Sequence, residues 1–308
     1  MYDVVIIGGG PAGLTAGLYT SRARLKTLLI ESYTVPCQAV TTAFIENYPG
    51  FPEGIGGFEL IERFRKQAEI FRLESTIGDV RSIHSVDNTW RVEVEDKVYD
   101  CQCLIIATGA RPKELNVPGE AKFRGKGVSY CATCDGALFK NKDIVVVGGG
   151  DTAVEEALFL TRFGKKVTLI HRRNTLRATK ILQERILKHE KVDFLWNSVV
   201  VEISGNENVE AIKVKNTTTQ QESKIFCDGV FIFVGLIPNT AFLKGIIELN
   251  EEGYIITDEG MKTSNEGIFA CGDCRKKSLR QVITACGDGA SAAFSAQKYL
   301  ERGNRSGI

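Results

Sequence analysis

The sequence lacks a long hydrophobic run. Its first residues, MYDVVIIGGG, hold an apolar run of only a few residues that ends at glycines. A membrane-spanning helix needs about 20 apolar residues, and a secretory signal peptide needs a basic start followed by a longer apolar region. The sequence therefore predicts a soluble protein of the cytoplasm.

The sequence also lacks an excess of either charge. It has 39 Lys and Arg residues against 38 Asp and Glu residues, which gives a net charge of +1. A protein that binds nucleic acid or a membrane surface usually carries a clear basic excess, so neither kind of partner is expected. Histidines are few, at 3, and no nucleophile pattern surrounds them, which argues against a hydrolase.

Cysteines are present in an odd number, 9 in a chain of 308 residues. In a long chain this is typical of a reducing compartment, where thiols are core residues or catalysts rather than cross-links. At roughly 100 to 200 residues per domain, the length predicts two domains, each able to bury a core.

A glycine motif follows the first predicted strand. Residues 3–7, DVVII, are β-branched and end at glycine, as a buried parallel strand does. They lead into Gly8-x-Gly10-x-x-Gly13 and a helical stretch, PAGLTAGLYTSR. Glycines in such a turn let the backbone approach a pyrophosphate closely, and the helix N-terminus supplies free N–H donors. The motif therefore predicts a dinucleotide site.

The same unit recurs later in the chain. Residues 143–147, DIVVV, lead into Gly148-x-Gly150-x-x-Ala153, a helical stretch and the strand KKVTLI. The separation between the two units is too long for a solenoid repeat. The sequence therefore predicts a second dinucleotide-binding fold and two different bound dinucleotides.

The residue at the end of the second strand of each unit distinguishes the two sites. Glu31 stands at the same offset from Gly8 as His171 does from Gly148. An acid at this position binds a free ribose 2′-hydroxyl and repels a phosphate, whereas arginines accept a 2′-phosphate. Glu31 thus predicts FAD or NAD at the first site. NADP is predicted at the second site by three arginines, Arg172, Arg173 and Arg177.

Cys131 and Cys134 stand two residues apart in CATCDG, and three interpretations are open. Zinc usually requires four ligands, and the other pair with this spacing, CGDC, is distant in the sequence. A structural disulfide is disfavoured in a reducing compartment. A redox pair is favoured, because this spacing closes a small, exchangeable ring. Asp135 would then supply the proton that a leaving thiolate needs, or would cap the following turn.

In this order, the motifs resemble the low-molecular-weight thioredoxin reductases. The resemblance includes IENYPGFPEGIGGFEL, IIATGARP, CATCDG, GGGDTAVEEA, HRRNTLRA, GLIPNT and GIFACGDCRKKSLRQVITACGDGASAA. It implies an α/β fold of two Rossmann-like domains of three-layer ββα type, with the second inserted into the first. An FAD-binding domain would comprise residues 1–112 and 242–308, and an NADPH-binding domain, residues 113–241, would carry the dithiol.

The resemblance also implies the residues of the site. Those expected to hold FAD are Gly8, Gly10, Pro11, Ala12, Gly13, Glu31, Gln38, Asn47, Thr108, Gly109, Gly272, Asp273, Arg280, Gln281 and Val282. Those expected to hold NADPH are Gly150, Asp151, Thr152, Ala153, His171, Arg172, Arg173 and Arg177. Cys131, Cys134 and Asp135 would be catalytic, with Cys134 against the flavin, and no metal is expected.

The activity implied by the resemblance is that of a homodimeric NADPH-dependent flavoprotein that reduces thioredoxin. Hydride would pass from NADPH to FAD and then to the disulfide of Cys131 and Cys134, which would exchange with oxidised thioredoxin. One dithiol cannot face a buried flavin and a protein partner at once, so one domain would rotate against the other. The segments ATGARPKEL and GLIPNTAF are candidate hinges, because each places Gly and Pro beside a strand end.

Other functions remain open. Within the same class, the acceptor would be another disulfide carrier, such as a glutaredoxin-like protein or a subunit of a peroxide-reducing system. A dithiol oxidase is a second class, although it would not need the arginines of HRRNTLR. A non-catalytic regulatory protein that binds a nucleotide or zinc is a third.

Two features depart from the family pattern or invite a second interpretation. Pro36 and Cys37 precede Gln38 where family members commonly have two glycines, and proline fixes φ near about −65°, so we expect an altered FAD loop. Cys37 is expected to be a small buried residue. The CGDC pair, Cys271 and Cys274, is expected to be part of the FAD site rather than a second redox centre.

Overall fold

The computed structural model describes residues 1–34, 37–40, 42, 44–87 and 89–305. The chain forms two compact units, and the second is inserted into the first. Unit 1 comprises Met1–Arg111 and Ile237–Ile308, and unit 2 comprises Pro112–Leu236. No helix in the described part of the chain is long and apolar enough to cross a lipid bilayer.

Strands and helices alternate at the start of each unit, and consecutive strands make up much of the rest. The strands are β1 (Tyr2–Ile7), β2 (Thr27–Glu31), β3 (Glu74–Ile77), β4 (Val80–Val86), β5 (Thr89–Val94), β6 (Lys97–Ile106), β7 (Ala110–Pro112), β8 (Val128–Ser129), β9 (Asp143–Gly148), β10 (Lys166–Ile170), β11 (Val192–Leu195), β12 (Ser198–Gly205), β13 (Val209–Asn216), β14 (Glu222–Phe226), β15 (Gly229–Phe233), β16 (Leu236–Pro238) and β17 (Ile268–Ala270). The α-helices are α1 (Pro11–Arg22), α2 (Gly57–Ile70), α3 (Ala132–Asp135), α4 (Asp151–Leu160), α5 (Lys180–Leu187) and α6 (Val282–Arg305). Short 3₁₀ helices follow at Gly136–Phe139, Ala241–Leu243 and Gly272–Cys274.

The sheet of unit 1 has a parallel part and an antiparallel part. Strands β3, β2, β1 and β6 are parallel neighbours in that order, and β17 also pairs with β6. The first half of β6 pairs instead with β5, which pairs with β4, and both of these pairs are antiparallel. The long strand β6 therefore belongs to both parts.

Alternating residues of β1 face two different cores. Val4 and Ile6 lie in one buried cluster with residues of α1 and α6. Val5 and Ile7 lie in a second cluster with Ile83 of the antiparallel part. Because successive side chains of a strand point to opposite faces, the parallel sheet is the middle of three layers. All four side chains are at most 4% exposed, as a strand covered on both faces should be.

Unit 2 repeats this plan. Its parallel sheet has the order β11, β10, β9, β15, β8, and β12, β13 and β14 form a separate antiparallel sheet. Ile144 and Val146 of β9 pack in a cluster with residues of α4 and α5. Val145 and Val147 pack in another with residues of β12 and β13. The expected fold class, two three-layer α/β dinucleotide-binding units, is confirmed, and so are strands at 3–7 and 143–147.

The chain passes between the units within β7 and β16. Unit 2 begins at Pro112 and ends at Leu236, whereas the sequence analysis placed the domain limits at 113 and 241. The crossing at 111/112 lies in ATGARPKEL and the crossing at 236/237 lies in GLIPNTAF, which are the two segments that the sequence analysis named as candidate hinges.

Candidate cofactor and redox site

The first glycine turn connects β1 to α1 and needs its glycines for two separate reasons. Gly8 has φ of +116°, and a Cβ there would lie 2.2 Å from the carbonyl oxygen of Ala107. A Cβ on Gly13 would lie 1.8 Å from the carbonyl oxygen of Gly8, so the first turn of α1 packs directly on the strand end. Gly10 has more space around it, because a Cβ on Gly10 would lie 3.4 Å from its nearest neighbour, the sulfur of Cys37. The turn therefore leaves its open side to a ligand.

A cavity of about 570 Å³ opens at this turn, and it lies within unit 1. That volume is in the usual range for a small-molecule or cofactor site. The predicted FAD residues that line the cavity are Gly8, Gly10, Pro11, Ala12, Glu31, Gln38, Thr108, Gly109, Gly272, Asp273, Arg280, Gln281 and Val282. The structure thus brings together residues from both ends of the chain.

Two of the predicted FAD residues have other positions. Gly13 lies behind the turn, where it allows the contact between helix and strand described above. Asn47 is exposed, and its amide donates a hydrogen bond to Oε1 of Gln281 at 3.1 Å. Asn47 is therefore placed to orient a cavity residue.

The cavity wall also contains residues to which the sequence analysis gave no cofactor role. Ser32, Thr34 and Asp79 line it and are joined by hydrogen bonds from both hydroxyls to the Asp79 carboxylate. Asn239 lines it too, and its amide donates to the carbonyl oxygen of Thr108 at 3.0 Å. Phe242 is a further lining residue. Ser32 and Thr34 directly follow Glu31 in the sequence, and this proximity could have identified them as cavity residues.

Two residues that line this cavity have buried polar atoms without partners. Oδ1 of Asp273 and Nε of Arg280 are buried, and neither has a hydrogen-bond partner among the described residues. Burial raises the pKa of Asp273, and the charges of Lys277 and Arg280 act in the opposite direction. A buried polar group normally has a partner. These two atoms therefore suit a ligand rich in hydroxyl and phosphate oxygens, and the cavity fits a flavin dinucleotide.

The second glycine turn connects β9 to α4. A Cβ on Gly148 would lie 2.4 Å from the carbonyl oxygen of Phe233 and 2.6 Å from Cβ of Ala153, whereas Gly150 has open space around it. Two hydrogen bonds join this turn to the loop after β10. The amide of Arg177 donates to the carbonyl oxygen of Gly149 at 2.7 Å, and the amide of Thr179 donates to Oδ1 of Asp151 at 2.6 Å. The arginine loop is thus tied to the turn.

Charge is concentrated on that loop. The side chains of Arg172, Arg173 and Arg177 are exposed, as is Thr152, and His171 is buried beneath them. Burial and then the charge of Arg177 lower the pKa of His171, so its ring is neutral at pH 7. Its Nε2 has no hydrogen-bond partner within the described residues. The loop thus presents three guanidinium groups beside an open glycine turn, which suits a phosphorylated ribose.

Cys131 and Cys134 are joined by a disulfide. Cys131 precedes α3 and is half-buried, whereas Cys134 is exposed. The backbone amide of Cys134 donates to Sγ of Cys131 at 3.1 Å, and the amide of Asp135 donates to the carbonyl oxygen of Cys131 at 3.2 Å. Asp135 itself is half-buried and ends the helix. The geometry gives an accessible redox pair in which an amide can stabilise one thiolate.

The other cysteines of interest are reduced. Cys271 and Cys274 are fully buried, and burial raises both pKa values, to about 11 for Cys274. Their thiols are therefore protonated and unreactive at neutral pH. Cys37 is half-buried at the cavity wall, and burial raises its pKa. Pro36 lies outside the described residues.

No group of three or more His, Cys, Asp or Glu side chains is placed to hold a metal ion in the part of the chain that the structure describes. A comparison with protein families matches residues 2–289 to the pyridine nucleotide-disulphide oxidoreductases. The chain belongs to this family.

Relatives of this oxidoreductase have closely similar sequences and structures. A thioredoxin reductase of Listeria innocua is 51% identical over 302 residues, which are 98% of this chain and 94% of the relative. A thioredoxin reductase of Bacillus subtilis is 50% identical over 302 residues, 98% of this chain and 95% of that one. A crystal structure of Lactococcus lactis thioredoxin reductase is 46% identical, with a TM-score of 0.96, and covers 98% of this chain and 100% of its own. The resemblance to the low-molecular-weight thioredoxin reductases is confirmed, and the cofactors of this oxidoreductase are FAD and NADPH.

A buried carboxyl group lies on α4 of this oxidoreductase. Glu156 on α4 is 8% exposed, and its Oε2 has no partner among the described residues. Burial, and to a lesser extent the charge of Glu155, raises its pKa to about 7. One turn further along α4, the Leu160 side chain would lie 3.1 Å from a Cβ on Gly136, which directly follows α3. The helix that carries Glu156 therefore packs, through Leu160, beside the end of α3.

Replacing Glu156 by Gln is expected to change how stability depends on pH. The folded-state pKa is raised, so the folded protein binds more protons than the unfolded chain between about pH 4.5 and 7. The wild type therefore loses stability as pH rises through this window, by up to about 3 kcal/mol, and Glu156→Gln does not. Melting temperatures of both proteins, measured from pH 5 to 8 at one FAD concentration, should diverge by several degrees towards high pH.

Glu155→Gln is the matched control, because Glu155 is exposed and adjacent. Because Glu155 contributes only the lesser part of the raised pKa of Glu156, this variant should still lose stability as pH rises, nearly as the wild type does. A constant difference between Glu156→Gln and wild type at every pH would show that Glu156 is not the titrating group.

Proposed function

We propose that this protein is an NADPH-dependent flavoprotein reductase that acts on the disulfide of thioredoxin. The observation that carries the proposal is the exposed disulfide of Cys131 and Cys134, located in the unit that also contains the arginine-rich glycine turn. Support comes from the relatives, which are named thioredoxin reductases over nearly the full length of the chain.

Each unit has a separate task in this proposal. Unit 1, Met1–Arg111 and Ile237–Ile308, binds FAD, and unit 2, Pro112–Leu236, binds NADPH and carries the dithiol. When bound, FAD transfers two electrons from NADPH to a disulfide. The glycine turn at Gly8 approaches the pyrophosphate, Glu31 accepts from the ribose hydroxyls of the adenosine, and Asp273 and Arg280 bind polar groups with their unpartnered atoms.

The second glycine turn holds NADPH. Gly150, Asp151, Thr152 and Ala153 place the pyrophosphate at the start of α4, where backbone N–H groups are free. The 2′-phosphate binds at the loop formed by His171, Arg172, Arg173 and Arg177, which provides charge-assisted hydrogen bonds.

The dithiol reduces its protein partner by thiol–disulfide exchange. Two electrons and two protons convert the disulfide of Cys131 and Cys134 to two thiols. One thiolate attacks a sulfur of the partner, which forms a mixed disulfide and releases a partner thiolate, and the second thiol then displaces the other partner sulfur. Asp135, next to Cys134, transfers the proton that the leaving thiolate requires.

Domain rotation separates the two half-reactions in this proposal. The same pair of sulfurs must be reached by flavin and by a protein, and Cys134 is exposed in unit 2. The passages at 111/112 and 236/237 are two short segments, and few residues need to change φ and ψ for such a motion. We further propose that the protein is a homodimer of the cytoplasm, and that neither a nucleic acid nor a membrane is a partner.

Anaerobic titration tests the proposed function. NADPH is expected to bleach the visible flavin band of the purified protein, NADH is expected to bleach it far less at equal concentration, and oxidised thioredoxin is expected to restore it. The measurement is the absorbance spectrum after each addition.

Other results would redirect the assignment. If thioredoxin cannot reverse the bleaching, the protein is still a flavin reductase, but thioredoxin is not its substrate. A glutaredoxin-like protein and the disulfide subunit of a peroxide-reducing system would then be tested as substrates. Bleaching only after NADH would contradict the role of the arginine loop. Absence of bleaching by either nucleotide would overturn the reductase assignment.

A further inference from the structure

The carboxylate of Glu31 is held by an arginine that no sequence motif marks. Arg65 on α2 donates from Nη1 to Oε1 and from Nη2 to Oε2 of Glu31, the second at 2.8 Å. Both side chains are largely covered, with 27% of Arg65 and 19% of Glu31 exposed. Each carboxylate oxygen therefore accepts one hydrogen bond from the planar guanidinium, an arrangement that fixes orientation as well as distance.

Further contacts hold this pair from both sides. Nε of Arg65 lies 3.4 Å from Oε1 of Glu62, which is one turn earlier on α2. The Glu31 side chain lies over Gly9, where an added Cβ would be only 2.0 Å from Oε2. The carboxylate is thus confined between the glycine turn and the guanidinium group.

The members of the pair differ in their access to the cofactor. Glu31 lines the cavity, and Arg65 does not line it in the described structure. A carboxylate has about four acceptor positions, and Arg65 occupies one on each oxygen. The remaining positions are available to hydroxyl donors in the cavity, so Arg65 acts on a ligand through Glu31.

We propose that Arg65 is a positioning residue for FAD, since it orients the Glu31 carboxylate towards the adenosine ribose and balances its negative charge. The charge balance matters because Glu31 lies at the glycine turn, which is where the negatively charged pyrophosphate binds. An unpaired carboxylate would repel the phosphates there. Paired with Arg65, the carboxylate accepts ribose hydroxyls with much less of that repulsion.

The affinity of the flavin-free protein for FAD tests this proposal. Arg65→Ala should raise the Kd of FAD by about tenfold or more, because the charged acceptor loses its orientation and its counter-charge. FMN lacks the adenosine half of FAD, so its Kd should change by less than about twofold. Both constants are measured by the quenching of flavin fluorescence on binding, and this readout does not depend on the disulfide acceptor.

Four further variants separate positioning from a general effect on α2. Arg63→Ala is the matched control, because Arg63 lies on the same helix in an exposed pair with Glu59. It should leave the Kd of FAD unchanged. Arg65→Lys keeps the charge without the two-pronged geometry and should give an intermediate Kd. Adding Arg65→Ala to Glu31→Gln should cause little loss beyond that of Glu31→Gln alone.

Two results would overturn the proposal. One is a Kd of FAD for Arg65→Ala within twofold of wild type. The other is an equal weakening of FAD and FMN binding, which would mean that Arg65 only stabilises the fold of unit 1. If Arg65→Ala does not fold, Arg65→Gln and Arg65→Lys provide the same comparison of FAD with FMN.

Discussion

A Cys134→Ser variant is expected to lose thioredoxin reduction by at least about a thousandfold while its flavin is still reduced by NADPH. Serine cannot form a disulfide, so the remaining Cys131 thiol cannot cycle between the two redox states. FAD binding is unaffected because the FAD cavity is lined by residues of unit 1, and Cys134 is in unit 2. Steady-state turnover with thioredoxin measures reduction of the disulfide substrate, and anaerobic bleaching by NADPH measures reduction of the flavin.

Cys227→Ala is the control for this prediction, because Cys227 is a buried thiol of the same unit and is remote in sequence from the redox pair. It should retain both activities. Cys131→Ser completes the set. Whichever of Cys131→Ser and Cys134→Ser accumulates a mixed disulfide with thioredoxin retains the cysteine that attacks the substrate. Turnover of Cys134→Ser within tenfold of wild type would exclude this dithiol as the redox centre.

The combined substitution of Arg172 and Arg173 by Ala is expected to raise the KM for NADPH by about 100-fold or more. Both side chains are exposed beside the second glycine turn, and charge-assisted hydrogen bonds contribute about 1.5 to 3 kcal/mol each. The kcat should change little, because the 2′-phosphate is remote from the reacting nicotinamide. The KM for NADH should also remain near its wild-type value, which would bring the two nucleotides close to equal preference.

A variant that loses the same charge elsewhere on unit 2 tests whether the effect is local. Arg162→Ala combined with Lys188→Ala removes two exposed cations outside the arginine loop. Its preference for NADPH over NADH should match that of the wild type. An unchanged preference in the Arg172 and Arg173 variant would instead assign the phosphate contact to other residues.

Short-range patterns in the sequence predicted the fold and the two glycine turns. A β-branched strand, a glycine turn and a helix are adjacent in the chain. The residues that determine them, such as Gly8 and Gly13, are therefore close together in the sequence and form a recognisable motif. The role of Gly150 followed in the same way, and the structure leaves space at that position.

Contacts between distant parts of the sequence were not predictable in this way. Arg65 resembles any other charged residue of an amphipathic helix, and only folding places it on Glu31. Glu156 stands next to another glutamate in a helical segment, which indicates a solvated face, yet tertiary packing buries it. Asn239 was assigned to the inserted domain, whereas the structure has it at the wall of the FAD cavity.

The insertion of one unit into the other has a consequence for biosynthesis. A chain emerges from the ribosome from its N-terminus, and domains generally fold as units as they appear. Pro112–Leu236 is complete before Gly272–Ala285, which contributes part of the cavity wall, has been made. The nascent chain is therefore expected to form its dithiol-bearing unit first and to capture flavin only after Gly272–Ala285 has been made.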